Sequence, residues 1–350
     1  MTTTKRQNQP LLFITYPRTA SNLLMRMLCL QEQDQVVSRE SGGYFFFPAV
    51  EKMNRDGLMR RPRAEWAEGE MTDMQQKYQA CYSNLQELLE SAAQQDKTAV
   101  TKEHAPFIMS PTAISDFLHG PRDATVPWRV HVPKGYSDAQ CPPGLPLNPS
   151  VLPDGFLLRC TPAFLIRNPA LAFPSFYRVI LSFCNGDMAK VEEEMVPYIA
   201  VACTLRWTKQ LYDWYAAAWE ALGNEEKSPV ILDADDILHS PHLVPRFCNL
   251  VGLDEAKVRF HWDPLTAEQR NGVDSVSAKT RATLHSSSGI VGGKTFDGLT
   301  IEGEAKKWKA EFGELVGSRI ESWVRASMPD YEYQADGISV YREPKCHGSG

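Results

Sequence analysis

The chain has 350 residues, 43% hydrophobic and 23% charged, the proportions of a globular protein with enough length for a large core. A formal net charge of −6 speaks against a broad nucleic-acid-binding face, and no apolar run approaches the ~20 residues that cross a bilayer. The eight cysteines are scattered without a Cys-x-x-Cys pair, which points to free thiols in a reducing compartment and to neither a disulfide framework nor a metal site.

Residues 1–10 contain no hydrophobic segment, so a disordered lead-in without a secretory signal is expected, in a cytoplasmic protein. Leu11-Leu12-Phe13-Ile14-Thr15 reads as a short apolar strand, Tyr16 to Asn22 as a tight turn, and the following stretch as a helix with apolar residues at 23, 24, 27 and 28. A strand that feeds a turn and a helix N-terminus gathers free N–H groups and positive dipole at one place, so the turn suits a phosphate or sulfate. Arg18, Thr19, Ser21 and Asn22 add a cation and three polar side chains. No Walker A pattern occurs anywhere in the chain, which disfavours a P-loop phosphotransferase.

Ser41-Gly42-Gly43-Tyr44-Phe45-Phe46-Phe47-Pro48 sets four aromatics beside glycines, readable as a pocket wall or as a buried strand. Residues 55–70 read as a surface connection and 72–95 as a helix. Residues 98–102 form a second apolar strand, ending in Lys102-Glu103-His104-Ala105-Pro106-Phe107. Polar and titratable groups at a strand's carboxyl end lie where open α/β sheets hold ligands. From 120 to 155 the chain is rich in Pro and Gly and carries Trp128, His131 and Tyr136, so a lid or binding loop is expected.

Ala163-Phe164-Leu165-Ile166-Arg167 is a third strand with an arginine at its exit, and a helix with Ser175 early in it follows over 170–182. A long helical region is predicted over 192–222, a fourth strand over 229–234 ending in Asp235-Asp236, and a helix from 242 to 251 capped by Gly252. Residues 283–298, rich in Ser, Gly and Lys, read as a mobile loop, 302–327 as a last helix and 336–350 as a tail. Strands alternating with helices predict an α/β fold: three layers, αβα, around a mainly parallel sheet, in one domain over 11–335.

Three of these stretches, in order, resemble the sulfotransferases that use 3′-phosphoadenosine 5′-phosphosulfate (PAPS). Tyr16-Pro17-Arg18-Thr19-Ala20-Ser21-Asn22 is similar to that family's 5′-phosphosulfate loop, Tyr-Pro-Lys/Arg-Ser-Gly-Thr-Thr. Lys102-Glu103-His104-Ala105-Pro106 resembles its Lys-x-His-x-Pro element, and Phe164 to Pro169 with Ser175 and Tyr177 its 3′-phosphate motif, with the same eight-residue Arg-to-Ser separation. The likeness spans roughly 11–260. Ala20 replaces the family's glycine, Asn22 a hydroxyl residue, and no Arg-Lys-Gly element is evident near Gly292-Gly293-Lys294.

The resemblance implies a P-loop-like sulfotransferase architecture, PAPS as donor and 3′-phosphoadenosine 5′-phosphate (PAP) as product, with no metal. It implies that Arg18, Thr19, Ala20, Ser21, Asn22 and Leu23 hold the 5′-phosphosulfate and that Arg167 and Ser175 hold the 3′-phosphate. His104 would be the general base, with Lys102 and Arg18 stabilising charge on the leaving oxygen. The acceptor is expected to be a small apolar or phenolic molecule in a pocket of Phe45, Phe46, Phe47, Phe107, Trp128 and Tyr136. An alternative is the same fold put to other chemistry or to binding alone, for which Ala20 and Asn22 are the motive.

Overall fold

The computed structural model describes residues 9–121, 128–134, 141–224 and 227–337. Five parallel strands form one sheet in the order β2-β3-β1-β4-β5, where β1 is Leu11–Thr15, β2 Val36–Gly43, β3 Thr98–His104, β4 Thr161–Ile166 and β5 Val230–Asp233. The continuous apolar run of β1 suits a central parallel strand covered on both faces. Leu12 and Ile14 enter one core with the helices Glu68–Gln94 and Arg206–Ala221, while Leu11 and Phe13 enter the other with the helices Ser21–Leu28 and Leu243–Val251. Helices on both faces of a parallel sheet make the three layers that the alternating pattern predicts.

Two predicted elements differ. The helical region expected over 192–222 is broken into Met188–Glu194, Val196–Ala202 and Arg206–Ala221. Pro197, which has no N–H to donate, falls at the start of the middle piece. The last helix runs Ile301–Asp336, longer than predicted, with a non-helical Gly313 (φ 81°) inside it.

The Pro- and Gly-rich segment lies away from the large cavity in its described part. Among residues 128–134 and 141–155, none lines the large cavity described below. Val130 N–H donates to the Val151 carbonyl (2.8 Å), Val151 N–H to Ile108 (2.7 Å), and the Arg129 guanidinium to the carbonyls of Asn148 and Ser150. These bonds strap the segment against the chain just beyond β3.

All strand exits on the site side converge. β1 and β3 pair with Thr15 beside His104, and β1 and β4 with Ile14 beside Phe164, which brings Tyr16 and Arg167 together just beyond the two strand ends. The edge strand β2 slips register between Ser38 and Gly43, and Gly43 ends opposite Lys102. A Cβ on Gly43 (φ +152°) would collide with the Lys102 backbone. Gly43→Ala is therefore expected to lower stability by about 2–3 kcal/mol, measured by urea unfolding; an unchanged midpoint would contradict the close approach.

Candidate active site

The turn after β1 is built on left-handed backbone. Arg18 (φ 70°) and Ala20 (φ 57°) both take positive φ, a conformation that favours glycine. Ala20 thus keeps the shape for which a glycine is expected. The Thr19 hydroxyl is fully buried and donates to the Tyr16 carbonyl (3.0 Å), so it closes the turn. Leu23 and Leu24 N–H groups donate to the Ala20 carbonyl at 2.9 and 3.1 Å. The Leu23 amide is thereby engaged within the first helical turn, while Ala20, Ser21 and Asn22 line the cavity at the helix N-terminus.

Tyr16 joins this turn to β4. Its hydroxyl accepts from the Arg167 N–H at 3.0 Å and donates to the Arg167 carbonyl. The Arg167 guanidinium then donates to the Arg18 carbonyl (2.9 Å) and the Lys294 carbonyl (2.6 Å), and its Nε faces Asp235 at 3.7 Å. Arg18 in turn donates to Ser175 Oγ (3.0 Å) and to the Thr280 carbonyl (2.7 Å). Arg18, Arg167 and Ser175, which the sequence marks separately, therefore share one cluster.

The third element sits opposite. His104 is 9% exposed at the end of β3, with Nδ1 2.6 Å from Thr15 Oγ1. The Thr15 hydroxyl has a single hydrogen and lies 3.2 Å from the Glu103 carbonyl, to which it donates. Thr15 Oγ1 then accepts from Nδ1–H, a tautomer assigned from the network, which leaves the Nε2 lone pair available as a base. Burial lowers the His104 pKa well below its usual 6.5, and the charges of Lys102 and Arg18 push the same way.

Lys102 is fully buried; its Nζ donates to Asn22 Oδ1 (2.8 Å) and stands 4.4 Å from the Tyr44 ring. Burial, then the nearby Arg281, holds its pKa well below the usual lysine value. It lies behind the wall, beneath Asn22 and Tyr44. Glu103 points the other way, and its carboxylate accepts the Phe45 and Phe46 N–H groups, pushed up to about 8 by burial.

Arg18, Ser21, Asn22, Tyr44, His104, Arg167 and Ser175 line one cavity of about 1040 Å³. Its lining is rich in cations, among them Arg18, Arg167, Lys279, Arg281 and Lys294, with acidic Glu51 and Asp274, and it includes apolar Phe47, Phe107, Leu171 and Phe176. Of the six expected aromatic pocket residues, Phe47 and Phe107 line this space. Phe45 and Phe46 do not: the Glu103 carboxylate grips their amides and both side chains are buried, Phe46 against Tyr78. Trp128 packs on Tyr78 as well, 5.9 Å between centroids. Tyr136 lies outside the described residues.

Sequence reasoning missed Thr15, Asp235, Arg281 and Lys294 as parts of this site, and it named Tyr44 only within the aromatic cluster. The Ser/Gly segment expected to be a mobile loop forms one side of the cavity, tied down by Phe296 N–H on Asp235 (2.8 Å) and by Arg167 on Lys294. Its lysine among glycines was the only available signal.

One cavity thus brings together a helix N-terminus, two arginines and a buried histidine. The chain is 38% identical over 326 residues to the sulfotransferase ppzF of Metarhizium rileyi (strain RCEF 4871), covering 91% of this chain and 93% of that one. It is 37% identical over 328 residues to the sulfotransferase ppzF of Metarhizium majus (strain ARSEF 297), covering 91% and 94%. No family model matches the chain, and no solved structure matches it. The chain belongs to the sulfotransferase family, and sulfuryl transfer is the general activity that membership carries. No described helix is long and apolar enough to cross a membrane.

Two measurements bear on this geometry. Ala20→Gly relieves a left-handed alanine and is expected to stabilise the fold by about 0.5–1 kcal/mol, read by chemical denaturation; a loss of stability would contradict the strained turn. In an NMR titration assigned with His104→Gln, the His104 imidazole should have its midpoint below pH 6.5, because burial and two cations disfavour the protonated form. A midpoint at or above 6.5 would count against the buried, neutral base.

Proposed function

We propose that the protein moves a sulfuryl group from PAPS to the hydroxyl of a small aromatic or apolar acceptor, with His104 as general base. The observation that carries this is the single cavity shared by the Ser21–Leu28 helix N-terminus, Arg18, Arg167 and His104. At about 1040 Å³ it reaches the upper end of ordinary ligand pockets, room for a nucleotide and an acceptor together. The family resemblance of the three motifs adds the identity of the donor.

In this reading the cations of the cavity hold the nucleotide. The free amides at Ala20, Ser21 and Asn22 bind the 5′-phosphosulfate, and Arg167 with Ser175 binds the 3′-phosphate. An arginine suits the second task because its planar fork grips phosphate oxygens in pairs. Arg167 uses its Nε edge toward Asp235 and one N–H from each terminal nitrogen on carbonyls, which leaves a second N–H on each for an anion.

The acceptor lies against Phe47 and Phe107 with its hydroxyl at His104, whose ring is 5.0 Å from Phe107. His104 Nε2 takes the acceptor's proton as the new O–S bond forms and the bond to the bridging oxygen breaks. The transition state is loose, as in phosphoryl transfer, so positioning and charge stabilisation supply most of the acceleration. Arg18 faces the charge that builds on the bridging oxygen, and Lys102 contributes its charge from behind the Asn22 carboxamide. Residues 11–335 act as one catalytic domain in the cytoplasm, and no metal takes part in this scheme.

Isothermal titration with PAP tests the proposal. The wild type should bind in the micromolar range, and Arg167→Ala should weaken binding at least about 10-fold, the loss of a charged hydrogen-bonding partner. Absence of binding by the wild type would sink the assignment.

A further inference from the structure

Tyr44 lines the cavity beside His104, and nothing in the scheme above uses it. Its ring packs on the His104 imidazole with centroids 4.6 Å apart, and the Lys102 ammonium lies 4.4 Å from its centre. Its hydroxyl is 3.4 Å from Ser21 Oγ, in the first turn of the anion-facing helix. One side chain thus touches the base, the buried cation and the helix end.

The chain accepts strain to hold it there. Tyr44 has φ 69°, which for a bulky non-glycine residue is an outlier. It follows Gly42 and Gly43, of which the second has no room for a Cβ against Lys102, and its own N–H is fixed to the Lys102 carbonyl at 2.8 Å. Backbone strain of this kind persists where surrounding structure aims a side chain.

Packing alone accounts for the ring and leaves the hydroxyl unexplained. A separation of 3.4 Å from Ser21 is long for an O–H···O bond, which is usually 2.7–2.8 Å, so the phenolic proton has no strong partner there. Tyr44 lines the cavity, and its hydroxyl is nearest Ser21, in the helix turn that holds the donor's reacting group in the scheme above. Enclosure by protein pushes the hydroxyl up to about 12, so it remains a donor across neutral pH.

We propose that Tyr44 is a catalytic residue for sulfuryl transfer: its phenolic O–H donates to a non-bridging oxygen of the sulfuryl group and aligns that group with the acceptor at His104. The inference rests on the sulfotransferase function proposed above. Tyr44 keeps its proton throughout; the acceptor's proton goes to His104, and the electron pair of the broken S–O bond leaves with the nucleotide. The ring holds the base and Lys102 in register through a tilted ring contact and a cation–π contact.

The test is titration of the wild type and Tyr44→Phe with PAPS and with PAP, which lacks the sulfuryl group. Phenylalanine keeps the ring and removes only the hydroxyl, so the melting temperature should stay within about 2 °C of wild type. Tyr44→Phe should bind PAPS about 10-fold more weakly, the value of one hydrogen bond to a charged group, and PAP as the wild type does. An equal loss for both nucleotides, or a loss for neither, overturns the role given to Tyr44 alone. A wild type that binds neither nucleotide overturns the sulfotransferase proposal and this one with it.

Discussion

The site depends on the register of the central strand. β1 is paired in parallel on both sides, with Thr15 opposite His104 and Ile14 opposite Phe164. That alignment delivers the Thr15 hydroxyl to His104 Nδ1 and the Tyr16 hydroxyl to both backbone groups of Arg167. A slip of one residue would turn every side chain of β1 to the opposite face. Leu12 and Ile14 would then lose one core, Leu11 and Phe13 the other, and Thr15 would leave the imidazole. The pattern that buries β1 therefore also gives His104 Nδ1 its partner. Core packing and the orientation of the imidazole are one constraint.

The second constraint is electrostatic. Arg18, Arg167, Arg281 and Lys294 share a cavity wall with Lys102 behind it, and burial lowers the pKa values of Arg18, Lys102 and Lys294, with neighbouring cations adding to the shift. Crowded, partly desolvated cations raise the free energy of the protein by itself, and an anion bound among them lowers it. Backbone carbonyls of Arg18, Thr280 and Lys294 take up guanidinium N–H groups meanwhile. Two of those carbonyls belong to the chain between 280 and 294. The arginines of the cavity thus also hold that stretch in place.

How much of this was legible in the sequence follows from the range of each signal. An apolar run that ends in polar residues is local, and it located Arg18, Lys102, His104 and Arg167 at strand exits. Which way an aromatic faces is not local. Phe45, Phe46 and Phe47 are adjacent, yet the Glu103 carboxylate holds the first two amides and both rings are buried, while Phe47 reaches the cavity. Trp128 was equally ambiguous, because its partner Tyr78 lies 50 residues earlier, on the helix Glu68–Gln94. The Ser/Gly stretch shows no periodicity, and its place comes from distant partners, Arg167 and Asp235, that no window of sequence contains.

Ala20 separates what a motif names from what it does. Glycine at that position stands for a left-handed backbone, and the chain keeps that backbone with alanine, at φ 57° and ψ 20°. The strain is about 1–2 kcal/mol for a non-glycine residue. Against it stand the Ala20 carbonyl accepting from both Leu23 and Leu24, and the Tyr16 carbonyl accepting from buried Thr19. These bonds over-determine the turn, so the amides of the first helical turn keep their common direction. The substitution therefore weighs on stability and leaves the geometry of the anion site in place. Asn22 is the more consequential departure, because its carboxamide oxygen is the acceptor that holds the Lys102 ammonium. A hydroxyl side chain is shorter and would leave that buried charge without this contact. In this chain residue 22 links the helix N-terminus to the strand that carries Lys102 and His104.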